Sequence, residues 1–494
     1  MRFWDWGVVA IYALAMLAVG RYYKLRITTT DDYLLGGRRM SPFMIGLSLF
    51  ATLTSTLSYL AYPGEMIKNG PMMFAQLAAY PLIMLTVGWG LIPRIMSQDA
   101  TSGYELLEKR LGLQGRLLGS AMFMALRTIW MAGILYATSS KVLVPMLGLD
   151  PSWAPMISAI MGLVTLVYSA EGGIRAVVVT DAMQSIIMFA GAIVVIGVVT
   201  AHMGGVGEWW PDGWQSQWEK PVFWFDTESR VTFMGAALNM YVWMVCTAGA
   251  DQMAIQRYLS TRDAKSARRS FGVHLAAEVL ISALLALTGL AVLRYFVIHP
   301  EFLAEGTSVH ENADELLPRF VVTVLPPGLA GLVIAAMLSA AMSSLSSGMN
   351  SASAVITSDF LGRFRKVHWS QHENIRVARL ASIGIGVAAV LLSMVVGHLA
   401  SNLLELCIKV VNLLTAPLFV LFFLALFVPW SKPRGAVVAT IVSVTTAVAF
   451  GLFELFGLKM LWFSPLSFVT GVLAGMIASL GPGGVQPRTS INTP

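Results

Sequence analysis

Apolar runs long enough to cross a bilayer follow one another along almost the whole chain, and this constrains the fold more than any motif. A hydrocarbon core about 30 Å thick takes roughly 20 mostly apolar residues per helix, and about thirteen runs meet that measure. They lie at 6–23, 41–69, 71–96, 117–147, 151–170, 174–202, 231–257, 267–298, 329–360, 375–398, 401–428, 434–456 and 460–481. With 494 residues, 56% of them hydrophobic and 12% charged, water cannot be the main solvent. Cys246 and Cys407 both sit inside apolar runs, so the sequence offers no extracellular disulfide framework and no CxxC pattern. The net charge of +6 is too dispersed for a nucleic-acid surface.

The run Gly7 to Gly20 is short and follows Arg2, as a signal peptide would, but Asp5 interrupts the basic segment and Arg21, Lys24 and Arg26 follow it. It reads as a spanning helix. Lys and Arg gather in alternate connections: Lys24, Arg26, Arg38 and Arg39; Lys109, Arg110 and Arg116; Arg257, Arg262, Lys265, Arg268 and Arg269; Arg363, Arg365, Lys366, Arg376 and Arg379. By the positive-inside rule these connections are cytoplasmic, which puts the N-terminus outside and the C-terminus inside. The loops 203–230 and 299–328, rich in Asp, Glu, Trp and Pro, then face outside, and Tyr104 to Arg110 reads as a short amphipathic helix on the inner surface.

Two runs are interrupted. Ala51 to Ser58 reads ATLTSTLS, hydroxyls and β-branched residues at mid-membrane, and Cys246 to Gln252 reads CTAGADQ, with an intramembrane Asp251. Unwound backbone is tolerated at this depth only where protein or a cavity surrounds it, and paired breaks in inverted repeats mark transporter sites. The breaks fall in the second and seventh runs, which suits a five-plus-five inverted repeat over roughly 41–428. Small polar residues that ease helix packing are the alternative. The segment AAMSSLSSGMNSAS, Ala340 to Ser353, places hydroxyls on neighbouring faces of one helix. These are hard oxygen ligands for a bare sodium ion, or else a face bonded to its own backbone. Asp181 is an ionisable group within a span, hence functional or turned to water at the membrane edge.

The segments DDYLLGGRRMSP (Asp31 to Pro42), YELLEKRLG (Tyr104 to Gly112), EGGIRAVVVTDAMQ (Glu171 to Gln184), DQMAIQRYLSTRD (Asp251 to Asp263), LPPGLAGLVIAAMLSAAMSSLSSGMNS (Leu325 to Ser351) and TAPLFVLFFLALF (Thr415 to Phe427), in this order, resemble the sodium:solute symporter family. The resemblance implies an all-α polytopic membrane protein with a LeuT-like five-plus-five inverted repeat, one extra N-terminal helix and two extra C-terminal helices. The expected organisation is a single transporter domain over 1–482, comprising an extra helix 6–23, repeats 41–202 and 231–428 and two helices in 434–481, then a cytoplasmic tail 483–494. It also implies a sodium site built from the carbonyls of Ala51, Thr54 and Ala340 with the hydroxyls of Ser343 and Ser344. Asp181, Ser346 and Ser347 correspond to a second sodium site found in some members. Solute contacts map to Leu53, Ser55, Ser58, Tyr59, Gln76 and Thr247. The arginine that holds a sialate carboxylate in the sialic-acid members falls at Trp130, which departs from that pattern, and Met244 and Ala248 replace the polar and aromatic residues of the sugar members.

Arg127, one turn from Trp130, and Lys409 are cations within spans, and a cation facing a cavity favours an anionic solute. Alternatively they are paired internally, Lys409 with Glu405 and Arg127 with Glu278 or Asp251. The expectation is a sodium-coupled symporter in the inner cell membrane that imports a small polar solute, a small carboxylate or other anion first. A sugar, amino acid or vitamin is the alternative solute, and a transporter-like sensor the alternative class. One sodium ion or two, the solute and the bilayer are the expected partners, with no organic cofactor, no nucleic acid and no obligate protein partner. No cluster of catalytic side chains suggests an enzyme.

Overall fold

The computed structural model describes residues 2–97, 100, 102–226, 228–303, 308–362, 370–398, 401–451, 453 and 460–480. The tail 483–494, the cations Arg363, Arg365 and Lys366, and the Glu405 and Lys409 side chains lie outside the described residues. Every regular element among them is helical. Among the described residues ten helices are long and apolar enough to cross a membrane, and the bent pair Pro42–Leu53 and Thr56–Lys68 makes an eleventh span. Two more of the expected runs lie within Ala154–Met203, counted there as one span, and in Ser401–Phe427.

At 1.5 Å per residue the 50-residue stretch Ala154–Met203 covers about 75 Å, more than two bilayer cores. It is hinged at Gly173, whose φ of 57° is open to glycine without cost. A Cβ there would also come within 2.6 Å of the Tyr33 carbonyl oxygen.

Both sequence interruptions are real breaks. Pro42–Leu53 and Thr56–Lys68 diverge by 69°, with Thr54 and Ser55 extended between them. The residues there carry their own reason: Ser and Thr side chains compete for backbone partners, and the Ser55 hydroxyl accepts from the Ser58 N–H at 3.4 Å. At the second break Phe233–Ala250 ends, Asp251 is extended, and Gln252–Leu259 begins. Asp251 Oδ1 accepts the Met253 N–H at 2.9 Å, so the intramembrane aspartate is the N-cap of the second half-helix.

Between the breaks runs the serine-rich helix Leu329–Val355, surrounded by protein along nearly all of its length. Its N-terminus has a cap from a distant part of the chain. Asp5, in the first turn of helix Phe3–Lys24, accepts the backbone N–H groups of Gly328 at 2.8 Å and Gly331 at 3.0 Å. A carboxylate on orphan N–H groups is favourable at this end of the helix dipole. Gly331 permits the approach, since a Cβ would lie 2.6 Å from the Asp5 Cα.

Ion pairs close the two ends of the bundle. At the Lys/Arg-rich end Arg116 meets Asp359 at 2.6 Å and Arg175 meets Asp32 at 2.8 Å; at the other end Arg230 meets Glu65 at 2.5 Å and Glu219 at 2.6 Å. Tyr104 to Arg110 belongs to helix Gly103–Tyr136, set off at Gly112 with φ 70°. Its apolar side, Tyr104, Leu106, Leu107 and Leu111, is buried in protein, which corrects the reading as a surface helix. Arg257 is corrected more sharply. Counted as a loop cation, it is fully buried, because Gln252–Leu259 carries it back into the bundle.

Candidate functional site

Where helix Pro42–Leu53 stops, its last carbonyls lose their intrahelical partners. The serine-rich helix supplies replacements. Ser343 Oγ lies 2.7 Å from the Ala51 carbonyl oxygen and 3.3 Å from that of Ala340. Ser344 Oγ lies 3.0 Å from the Thr52 carbonyl and 3.4 Å from that of Ala340. Two hydroxyls and three carbonyls thus converge, all buried, with no formal charge among them. This set of hard neutral oxygens suits a dehydrated alkali cation. Ala51, Ala340, Ser343 and Ser344 gather as the sequence led one to expect. Thr52 joins them unforeseen, and the Thr54 hydroxyl turns the other way, donating to Glu278 Oε2 at 2.9 Å.

One turn along the same helix, Ser347 reaches Asp181 of helix Ala154–Met203; this carboxylate is fully buried and its Oδ2 receives Ser48 Oγ at 2.5 Å, Ser347 Oγ at 3.3 Å and Arg257 Nη2 at 2.9 Å. Arg257 also donates to the Ser48 hydroxyl, the Met253 carbonyl and the Ser347 hydroxyl. Asp181 therefore does not face water. Its Oδ1 is buried without a protein partner among the described residues, as are Gln184 Oε1 and Ser339 Oγ. Ser346 is not brought to the carboxylate; its hydroxyl donates to the Ser343 carbonyl at 3.1 Å. Two hydroxyls, those of Ser48 and Ser347, and one guanidinium surround this carboxylate, so any cation reaching it meets a group that already has a counter-ion.

A cavity of about 220 Å³ opens between the two breaks. Leu53 and Ser58 line it from the first broken helix, with Tyr62, Tyr80, Asn239, Met240, Trp243, Met244 and Glu278 around them. The other expected solute contacts lie off it. Ser55 is the cap described above, and the Tyr59 hydroxyl donates to the Met188 carbonyl at 3.0 Å. Gln76 stands behind the wall, donating to the Tyr62 hydroxyl at 3.3 Å. Trp130 packs between the two main apolar clusters, and Thr247 is buried with its hydroxyl unpartnered. Arg127 is ion-paired with Asp251 and does not line the cavity, so the internal pairing is the one adopted. A larger hollow of about 380 Å³, beside Lys141, Glu315 and Arg319, touches none of these residues.

The residues that sequence reasoning missed are Thr52, Arg257 and, beside the expected Leu53 and Ser58, the rest of the cavity lining around Glu278. An acid within a span is a functional signal in its own right, and Glu278 carried that signal. Nothing in the sequence marked Tyr62, Tyr80 or Trp243 as neighbours of it.

Residues 33–443 match the sodium:solute symporter family model. The chain is 30% identical over 462 residues to a sodium/sialic acid symporter, SiaT, of Proteus mirabilis, covering 90% of this chain and 89% of that one. It is 29% identical over 451 residues to human sodium-coupled monocarboxylate transporter 1, covering 88% of this chain and 71% of the relative. Among solved structures, the substrate-bound outward-open state of a Na+-coupled sialic acid symporter, described as revealing a novel Na+ site, superposes with a TM-score of 0.84. That chain is 28% identical, with 98% of this chain and 99% of it covered. The expected LeuT-like all-α architecture is thereby found: the chain belongs to the sodium:solute symporter family and is a sodium-coupled solute symporter.

Proposed function

We propose that this chain imports a small polar organic solute down the sodium gradient by alternating access. It acts in the inner cell membrane, with the N-terminus outside and the C-terminus in the cytoplasm. The observation that carries this reading is the contact of Ser343 and Ser344 with the carbonyls of Ala51 and Thr52. A sodium ion held there bridges the first broken helix to the serine-rich helix, so that binding it favours one relative position of the two. Solute in the neighbouring cavity biases the same rearrangement, and each ligand then raises the affinity of the other by the same factor. The rest of the proposed site is the Thr54 carbonyl for this ion, and Asp181, Ser346 and Ser347 for a second sodium. The single transporter domain over 1–482 is part of the same reading.

Relatives named for sialic acid and for monocarboxylates support a carboxylate as the first solute class. Arg127 is not the group that would hold it, since Asp251 takes that guanidinium. Hydroxyl and amide groups in the cavity, Ser58 and Asn239, are the alternative donors. The test is uptake of radiolabelled carboxylates, sugars, amino acids and vitamins into proteoliposomes with and without an inward sodium gradient. The expected result is gradient-dependent accumulation of one class, lost in Ser343→Ala and Ser344→Ala proteins that still insert and fold. Accumulation indifferent to sodium, or unaffected by both substitutions, would rule the scheme out.

A further inference from the structure

Five carboxylates among the described residues are buried: Asp5, Asp181, Asp251, Glu278 and Asp359. Asp181, Asp251 and Asp359 each hold an arginine, and Asp5 caps a helix. Glu278 differs. Its described protein partner is the Thr54 hydroxyl at 2.9 Å, and among the described residues no cationic side chain is paired with it. It is also the one of the five that lines the central cavity. Burying a carboxylate without a counter-charge is costly, and here the missing charge faces the space where solute would sit.

The walls of that space fit the same chemistry. Tyr62, Tyr80 and Trp243 surround the cavity that Glu278 enters, and aromatic faces attract a cation through their quadrupole. The Tyr80 hydroxyl is buried and lacks a partner among the described residues. Among the described residues neither Lys nor Arg lines the cavity.

Resting on the symporter reading, we infer that Glu278 holds a positively charged nitrogen of the transported solute, within a partly aromatic box. The solute is then a zwitterion, which keeps the carboxylate proposed above elsewhere on the molecule, or a simple amine or quaternary ammonium, which would replace that carboxylate as the solute class.

The test uses the purified full chain and its thermal stabilisation in saturating sodium. Four probes separate the charge types at similar size: choline and pyrrolidine as cations, L-proline as zwitterion, cyclopentanecarboxylate as anion. At least one nitrogen-bearing probe should stabilise, and its half-saturating concentration should rise tenfold or more in Glu278→Gln, while that of sodium moves less than threefold. Response to proline alone assigns the zwitterion; response to choline or pyrrolidine assigns the cation. Stabilisation by cyclopentanecarboxylate alone, or by none of the four, overturns the inference, as does unchanged affinity in Glu278→Gln. Should Glu278→Gln not fold, the comparison among probes on the unmodified chain decides alone. Lys409, on helix Ser401–Phe427, is the rival counter-charge. If Glu278→Gln and Lys409→Gln each destabilise the protein but the double variant does not, the pair is internal and the inference falls. A response to ammonium probes without any response to sodium would sink the symporter reading and leave this one standing.

Discussion

Replacing Arg257 by Met removes the counter-ion of a carboxylate that has no access to water. Arg257 and Asp181 are both fully buried, 2.9 Å apart. Breaking a buried pair by deleting one partner costs about 3–5 kcal/mol, because the remaining charge is left uncompensated. Two hydroxyls, Ser48 and Ser347, reach Asp181 Oδ2 with or without Arg257, so the carboxylate is not left bare and the cost falls at the lower end of that range. The net loss is therefore about 3 kcal/mol, a few degrees in the unfolding midpoint of a chain this size. The same deletion removes the positive charge that competes with any ion for Asp181. Sodium binding to the native state should then restore stability, by about 2.7 kcal/mol at a concentration one hundred times its dissociation constant. The assay is a melting curve in detergent, with sodium titrated against potassium at constant ionic strength. The expected pattern is a lower midpoint in potassium and a steeper rise with sodium than the unmodified protein shows. An Arg257→Met midpoint equal to that of the parent in potassium would refute the pair as a structural element. A lowered midpoint with no added sodium response would refute Asp181 as a cation ligand.

Arg127→Gln should lower the yield of folded protein, and Arg127→Gln with Asp251→Asn should recover most of it, while the order of preference among solutes in the recovered protein stays unchanged; competition uptake checks this. Asp5→Ala should cost about 1–2 kcal/mol by uncapping the serine-rich helix, read as a lowered melting midpoint with sodium affinity retained. Arg230 is half-exposed, so Arg230→Gln should change stability by less than about 1 kcal/mol, despite its two short contacts to Glu65 and Glu219. A large loss in that melting curve would mean the loop it anchors is integral to the bundle.

The spans, both breaks and the serine cluster were legible in the sequence because each is a local pattern: an apolar run, a hydroxyl-rich interruption, a spacing along one helix. What stayed hidden depends on partners far along the chain. Arg257 looks like one more loop cation because it follows a run, and only the turn at Asp251 reverses that. Ser346 and Ser347 are neighbours in sequence, yet a rotation of 100° per residue sends one to its own backbone and the other to Asp181. Arg127 kept two readings open because the choice rested on which acid reached it, and Asp251 does so from a half-helix cap. Thr52 was passed over because its contribution is a carbonyl, which any residue carries, and the family resemblance marked the carbonyls of Ala51 and Thr54 on either side of it instead.

The cap that Asp5 places on the serine-rich helix joins residues 323 and 326 positions apart. At about 5–20 residues per second, the ribosome takes roughly 16–65 s to make the partner after Asp5 has emerged. The first helix must therefore be held ready, and its carboxylate tolerated, long before its destination exists. The Arg2 backbone N–H, 2.9 Å from Asp5 Oδ2, is a partner three residues away that does not depend on that later segment. An early helix of the chain is thus a receiving dock for a much later one, and the bundle cannot be completed strictly in the order in which it is synthesised.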